Sequence, residues 1–147
     1  MFYETEELTK KQIDDFFATT PRIDNQIKAL ITSAVEWTLK RPELVLVTLL
    51  EKMKRGQTPE HPEGPLFRRM ITEAFKRGQI AGVITKNRRP QELASDIDGL
   101  YMVHMVRWYH YGQKDDLLSA ILSAVNTYLS GALIKSEKKI LKEEVGK

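Results

Sequence analysis

A chain of 147 residues, 41% hydrophobic and 29% charged, is long enough to form one globular domain with a sizeable core. Its formal net charge of +3 is too small to indicate nucleic-acid binding without a clustered basic face, and the lack of cysteine excludes disulfides and thiolate metal ligands. The polar N-terminus and the short apolar runs predict neither a signal peptide nor a membrane span. We therefore expect one domain over residues 1–147, located in the cytoplasm.

Helical periodicity dominates the first part of the chain. Apolar residues three and four positions apart predict helices over Tyr3–Ala18 and Ile23–Lys40. The apolar run Leu44–Leu50 fits either a buried strand or a buried helix. We choose helix, because Glu51–Lys54 continue the run with good helix formers and Gly56 offers a C-cap. The apolar residues of this run are distributed around the whole helix, so we expect the helix to be buried between other helices on all sides.

Prolines and glycines divide the rest of the chain. Three prolines and two glycines between Gly56 and Pro65 predict a loop. The following elements are a helix over Leu66–Arg77 capped by Gly78, a connector over Gln79–Arg89, a helix from Pro90 to about Tyr111 closed by Gly112, and a helix from Asp115 or Asp116 through Leu133. The predicted fold is an all-α bundle of about six helices.

The helix from Pro90 to Tyr111 has apolar or small residues on both sides. On a helical wheel, one face carries Leu93, Ile97, Leu100, Tyr101, His104, Trp108 and Tyr111. The opposite face carries Gly99, Met102, Val103, Val106 and His110. One face can meet the core of the same chain, whereas the other needs a second layer of helices.

The last predicted helix has the same two-sided character. Its broad apolar arc contains Leu117, Leu118, Ile121, Leu122, Val125, Tyr128 and Leu129, and the opposite side contains Ser119, Ala120, Ser123, Thr127, Ser130 and Gly131. These small residues form either a plain polar surface or a close helix–helix contact. We predict the contact: a four-helix interface of a homodimer, in which the last two helices of each copy take part. The predicted interface residues are Gly99, Val103, Val106, His110, Ser119, Ser123 and Thr127.

Several segments resemble the regulatory domain of TetR-family transcriptional repressors. They are Phe75-Lys-Arg-Gly-Gln-Ile-Ala-Gly-Val-Ile, Arg89-Pro-Gln-Glu-Leu-Ala, Ile97-Asp-Gly-Leu-Tyr and Tyr128-Leu-Ser-Gly-Ala-Leu. The start, Phe2 to Leu8, is similar to the entrance of the helix that links the DNA-binding module to this domain. The family's helix-turn-helix has no counterpart in the chain, so we expect DNA contact only through an N-terminal module that this sequence does not contain.

The resemblance implies a small-molecule effector pocket between the helices. Bulky, flexible or singly polar side chains from several helices are candidates to line it: Trp37, Met53, Phe67, Met70, Tyr101, His104 and Trp108. Tyr101 and His104 lie three residues apart and would orient one polar group of a mostly apolar ligand. The alternative is that these residues fill a core, in which case the chain is a structural dimerisation module without a ligand.

No residue pattern indicates catalysis or a metal. His104 and His110 fall on opposite faces of one helix, which does not make a metal site. The basic run Lys86–Arg89 fits a solvated connector better than a phosphate site. Neither a glycine-rich phosphate loop nor a nucleophile–base pair is visible, so we expect no enzyme and no cofactor.

Overall fold

The computed structural model describes residues 10–47, 50–51 and 66–133. Within these ranges the chain is helical, without a strand; a single isolated bridge joins Ile84 to Leu133. The elements are α1 (Lys10–Thr19), α2 (Ile23–Lys40), the 3-10 helix η1 (Pro42–Leu44), α3 (Leu66–Ile80), α4 (Pro90–His110) and α5 (Leu117–Ala132). Residues 45–47 and 50–51 are also helical. The predicted all-α bundle of about six helices is confirmed. The start of the first predicted helix, the loop Gly56–Pro65 and Met53 lie outside the described residues.

Four helices enclose the core. Helix α2 neighbours α3 and α5, and α4 neighbours the same two helices, so the four close into a bundle. Helix α1 attaches to α3, where the Arg77 guanidinium lies 4.3 Å from the ring centre of Phe17 and bonds the Asp14 carboxylate at 3.1 Å. The core is made almost entirely of aliphatic and aromatic side chains, with Gln26, Thr38 and Asp98 as its buried polar residues.

Turn chemistry sets the ends of the last two helices, as predicted. Pro90 occupies the first turn of α4, and Gly112 takes a φ of +82° just after its end, a conformation that favours glycine. The Asp116 carboxylate accepts a hydrogen bond from the Ser119 backbone at 3.1 Å and caps α5. The connector between α3 and α4 is held to α3 and to α5. The Gln79 side chain of α3 donates to two of its carbonyls, and the Thr85 backbone N–H donates to the last turn of α5.

Two sequence-based expectations about the first half of the bundle are wrong. Gly78 does not end α3 but lies buried within the helix. A Cβ at this position would come within 2.6 Å of Ile84 and 2.9 Å of Ile23. The glycine is needed for this close approach, and the helix continues to Ile80. The apolar segment after η1 is not sandwiched on all sides. Val45 is buried, whereas Leu46, Val47 and Leu50 are exposed, since one side of this helical turn faces the core.

The inner face of α4 is rotated from its predicted position. Its buried residues are Leu93, Ala94, Ile97, Asp98, Tyr101, Met105 and Trp108. Relative to the prediction, the core-facing arc moves toward Asp98 and Met105. As a result, Leu100 and His104 are half-buried at the edge, and Tyr111 is 65% exposed. The burial of α5 follows its predicted arc, with Leu117, Ile121, Val125 and Leu129 in the core.

Candidate ligand cleft and outward helix faces

Three of the residues predicted to line an effector pocket lie together in the packed core. Phe67, Met70 and Tyr101 are almost completely buried, and the rings of Phe67 and Tyr101 have centres 5.7 Å apart. The hydroxyl of Tyr101 lies 2.5 Å from Oγ1 of Thr38 and 3.1 Å from the Ala34 carbonyl. The polar group of Tyr101 is therefore engaged by α2, which satisfies a buried hydroxyl that would otherwise be costly.

His104 and Trp108 instead line a cleft at the end of the bundle where α4 meets the start of α5. The cleft has a volume of about 180 Å³ and is lined by His104, Arg107, Trp108, Tyr111, Asp115, Asp116, Leu117 and Ala120. The four α4 residues are spaced by three and four positions, so they share one side of the helix. Tyr101 does not line this cleft, although it is only three residues from His104.

The cleft is held in shape by hydrogen bonds. The Trp108 indole is buried and donates from Nε1 to the Asp115 carbonyl at 3.1 Å. The Trp108 carbonyl accepts from the Gln113 backbone at 2.9 Å, and Gln113 has a φ of +63°. These two bonds fix the α4–α5 turn against Trp108, and the Asp116 cap fixes the first turn of α5. Trp108 and the turn between α4 and α5 are therefore held together by hydrogen bonds.

The other two predicted pocket residues do not extend this site. Trp37 is half-buried at the end of α2, where the Arg41 guanidinium lies 5.3 Å from its ring centre. Met53 is outside the described residues. Among the six predicted pocket residues that the structure describes, the core brings together Phe67, Met70 and Tyr101, and the cleft brings together His104 and Trp108.

A buried ion pair between α3 and α4 was not predicted from the sequence. The Asp98 side chain is 2% exposed and accepts a hydrogen bond from Arg68 Nη2 at 2.7 Å. Asp98 lies one helical turn after Ala94 and one before Tyr101, so its place on the wheel was a signal that it faces the core. Its negative charge is offset by a guanidinium from the neighbouring helix, because an unpaired buried carboxylate would be strongly destabilising.

A second polar cluster joins the connector, α4 and α5. The Asp96 carboxylate accepts hydrogen bonds from the Arg88 guanidinium and, at 2.6 Å, from the Tyr128 hydroxyl. The Arg88 hydrogen bond holds the pKa of Asp96 below its ordinary value, although partial burial opposes this. Burial and the bond to Asp96 raise the pKa of Tyr128. Arg88 and Arg89 thus both pair with carboxylates of α4, Arg88 with Asp96 and Arg89 with Glu92. These pairs give the basic run a structural role in the connector.

The predicted interface residues all lie on the outward sides of α4 and α5. Val103 is 57% exposed, Val106 is half-buried, and the others are exposed: Gly99, His110, Ser119, Ser123 and Thr127. A Cβ added at Gly99 would meet no atom within 4 Å. The sequence from Leu117 to Leu133 contains no Lys, Arg, Asp or Glu, in a chain that is 29% charged. The outward side of α5 is therefore exposed and uncharged along the whole helix.

Among the residues placed by the structure, no group of three His, Asp or Glu side chains is arranged to hold a metal ion. None of the helices described here is long and apolar enough to cross a membrane. Comparison of the chain with known proteins gives no significant match to a family model, a curated protein or a solved structure.

Proposed function

We propose that this chain is the dimerising, effector-sensing domain of a TetR-like transcriptional repressor. The observation that carries the proposal is the uncharged outward face of α5, which lies beside the uncharged stretch Gly99–Val106 of α4. Two copies related by a two-fold axis would bring these faces together as a four-helix interface. A mostly apolar small molecule would change the packing of the bundle, and the dimer would convey that change to DNA-binding modules.

The composition of the outward faces supports dimerisation. A solvated helix surface normally carries Lys and Glu, which favour water and are depleted at the centre of protein interfaces. Between Gly99 and Val106, α4 carries no charged residue, and α5 carries none at all. Small residues at Gly99, Ser119 and Ser123 allow helix axes to approach closely. A second copy would bury Val103, a large apolar side chain of this face that is 57% exposed.

The cleft beside His104 supports effector sensing. It lies between the two helices proposed to form the interface, and its rim residues Arg107 and Ala120 are exposed next to the outward faces. A ligand in this cleft would contact α4 and the first turn of α5 together. It would therefore be placed to alter how the two helices meet a second copy.

A structural dimerisation module without an effector is the second candidate. The hydrogen bonds of the Tyr101 hydroxyl to α2 favour it, as does the complete burial of Phe67. These residues fill the core rather than line an open interior. Thermal melting with a panel of hydrophobic small molecules separates the two candidates, because a ligand that binds only the folded state raises the melting temperature. An effector domain responds to members of the panel, whereas a filled module responds to none.

Dimerisation is tested by light scattering on the chain and on Gly99→Leu. A leucine fits the isolated chain, since no atom lies within 4 Å of the added Cβ, and it removes an unfavourable helical glycine. We therefore expect Gly99→Leu to remain folded and to dimerise more weakly. Lys76→Leu, on the exposed side of α3, is the control and should dimerise as the wild type does. Equal dimerisation of all three proteins would place the interface elsewhere.

A further inference from the structure

We propose that the cleft between α4 and α5 binds a small aromatic or alkyl ammonium ion. This inference deepens the proposed function by naming a ligand class for the cleft, and its role as an effector site depends on that function. The binding itself does not, because it depends only on side chains of one chain. The relevant groups are two aromatic rings, two carboxylates and an apolar floor.

The size and walls of the cleft suit a one-ring ligand. Its volume of about 180 Å³ is somewhat larger than the ~150 Å³ cavity that accommodates benzene in an engineered protein core. The buried Trp108 and the exposed Tyr111 present aromatic surface, and Leu117 and Ala120 add apolar surface. Because hydrogen bonds already fix Trp108 and the turn after α4, little ordering of these groups is needed when a ligand binds.

The charges at the cleft favour a cation. Among the residues that line the cleft, Asp115 and Asp116 are acidic and Arg107 is basic. One oxygen of the Asp116 carboxylate accepts the Ser119 backbone N–H, which leaves its other oxygen and the Asp115 carboxylate for a ligand. The faces of indole and phenol rings also attract cations, which adds to the effect of the carboxylates. The indole N–H of Trp108 is already donated to the Asp115 carbonyl, so it is not free to bind an anion. Arg107 is exposed, and its long side chain can extend into solvent.

Other features of the described residues have less specific chemistry. The groove along Lys28, Leu118, Ser119 and Leu122 includes residues of the proposed dimer face. The exposed apolar residues after η1 have nothing in the described structure to indicate what covers them. The Asp96 cluster has its hydrogen bonds completed by Arg88 and Tyr128, so it holds elements together. Within the described residues, the α4–α5 cleft combines a concave volume with groups of matching chemistry.

The test is calorimetric titration of the whole chain at neutral pH with three ligands of similar shape: 2-phenylethylammonium, 2-phenylethanol and 3-phenylpropionate. We expect the ammonium ion to bind and the neutral alcohol to bind at least about fivefold more weakly. The carboxylate should bind no better than the alcohol. Tighter binding of 3-phenylpropionate would assign the cleft to anions through Arg107 and overturn the proposal, as would equal binding of all three ligands.

Matched variants locate the binding. Asp115→Asn with Asp116→Asn removes both charges, and asparagine caps a helix about as well as aspartate, so the fold should persist. The double variant should weaken ammonium binding about fivefold, and Tyr111→Ala about threefold. Asp15→Asn, on the exposed side of α1, should bind as the wild type does. Unchanged binding in the double variant would overturn the proposed site.

Light scattering on the same samples separates this inference from the proposed function. A dimeric chain that releases no heat with the ammonium ion would overturn the cleft proposal and leave dimerisation intact. A monomeric chain that binds the ion, and loses that binding in the double variant, would support the cleft and contradict the proposed interface.

Discussion

The hydroxyl oxygen of Tyr101 lies 2.5 Å from Oγ1 of Thr38, and this contact joins α4 to α2 inside the core. Both hydroxyls also lie 3.1 Å from the carbonyl oxygen of Ala34. Two buried polar groups from different helices therefore satisfy each other and share a backbone acceptor. The relationship fixes the rotation of α4 about its axis, and it removes Tyr101 from the groups that remain free to bind a ligand.

Replacement of Tyr101 by phenylalanine should destabilise the fold by about 1 kcal/mol, because the buried hydrogen bond to Thr38 is lost while the ring stays in place. Urea unfolding measures the change. Tyr111→Phe is the matched control: Tyr111 is 65% exposed, so its variant should stay within about 0.5 kcal/mol of the wild type. An equal effect in both variants would show that the internal hydrogen bond contributes nothing.

The glycine inside α3 should tolerate no side chain. Gly78→Ala places a methyl group within 3 Å of Ile84 and Ile23, and the resulting overpacking should cost about 1–2 kcal/mol, even after the gain in helix propensity. Gly131→Ala is the control in α5, where an added Cβ meets nothing within 4 Å. It should leave the free energy of unfolding unchanged or raise it. Stabilisation by both changes would contradict the close approach at Gly78.

The Asp96 cluster predicts a specific pH dependence. The folded-state pKa of Asp96 lies below its ordinary value of 3.8, so its bonds to Arg88 and Tyr128 stabilise the fold at pH values above that value and are lost as the pH falls through the folded-state pKa. The wild type should be more stable than Asp96→Asn at neutral pH, by an amount that stays constant down to about pH 5 and shrinks below it. Chemical unfolding at several pH values measures this, and a constant difference down to the acid limit would contradict it.

Residues that start and end helices made most of the fold predictable from the sequence. Proline at the start of α4, glycine after its end and aspartate before α5 all act locally, so the sequence predicts these ends within one or two residues. The period of apolar residues likewise predicts the bounds of α2 and the buried arc of α5. Gly78 was misassigned because its role depends on the approach of Ile84, which is six residues away and outside the helix.

The candidate site was harder to predict, because it depends on partners from other helices. The wheel position of Asp98 between Ala94 and Tyr101 points to the core, but a carboxylate is expected there only if a partner such as Arg68 of α3 is known to pair with it. That burial accompanies the rotation of α4 toward Asp98, which moves His104 to the edge of the bundle. Tyr101 and His104 are neighbours in sequence, but only the packed structure shows that one faces α2 and the other a cleft.

The most direct test of the central claim is the mass of the chain in solution when charge is added to the outward faces. Sedimentation of the wild type at about 10 μM should give twice the 17.0 kDa of one chain. Val103→Glu and Ser123→Glu should shift the mass toward one chain, because a carboxylate would be buried without a partner in the interface. Lys76→Glu, on the exposed side of α3, should remain dimeric. A wild type that sediments as one chain, or glutamate variants as dimeric as the control, would contradict the account.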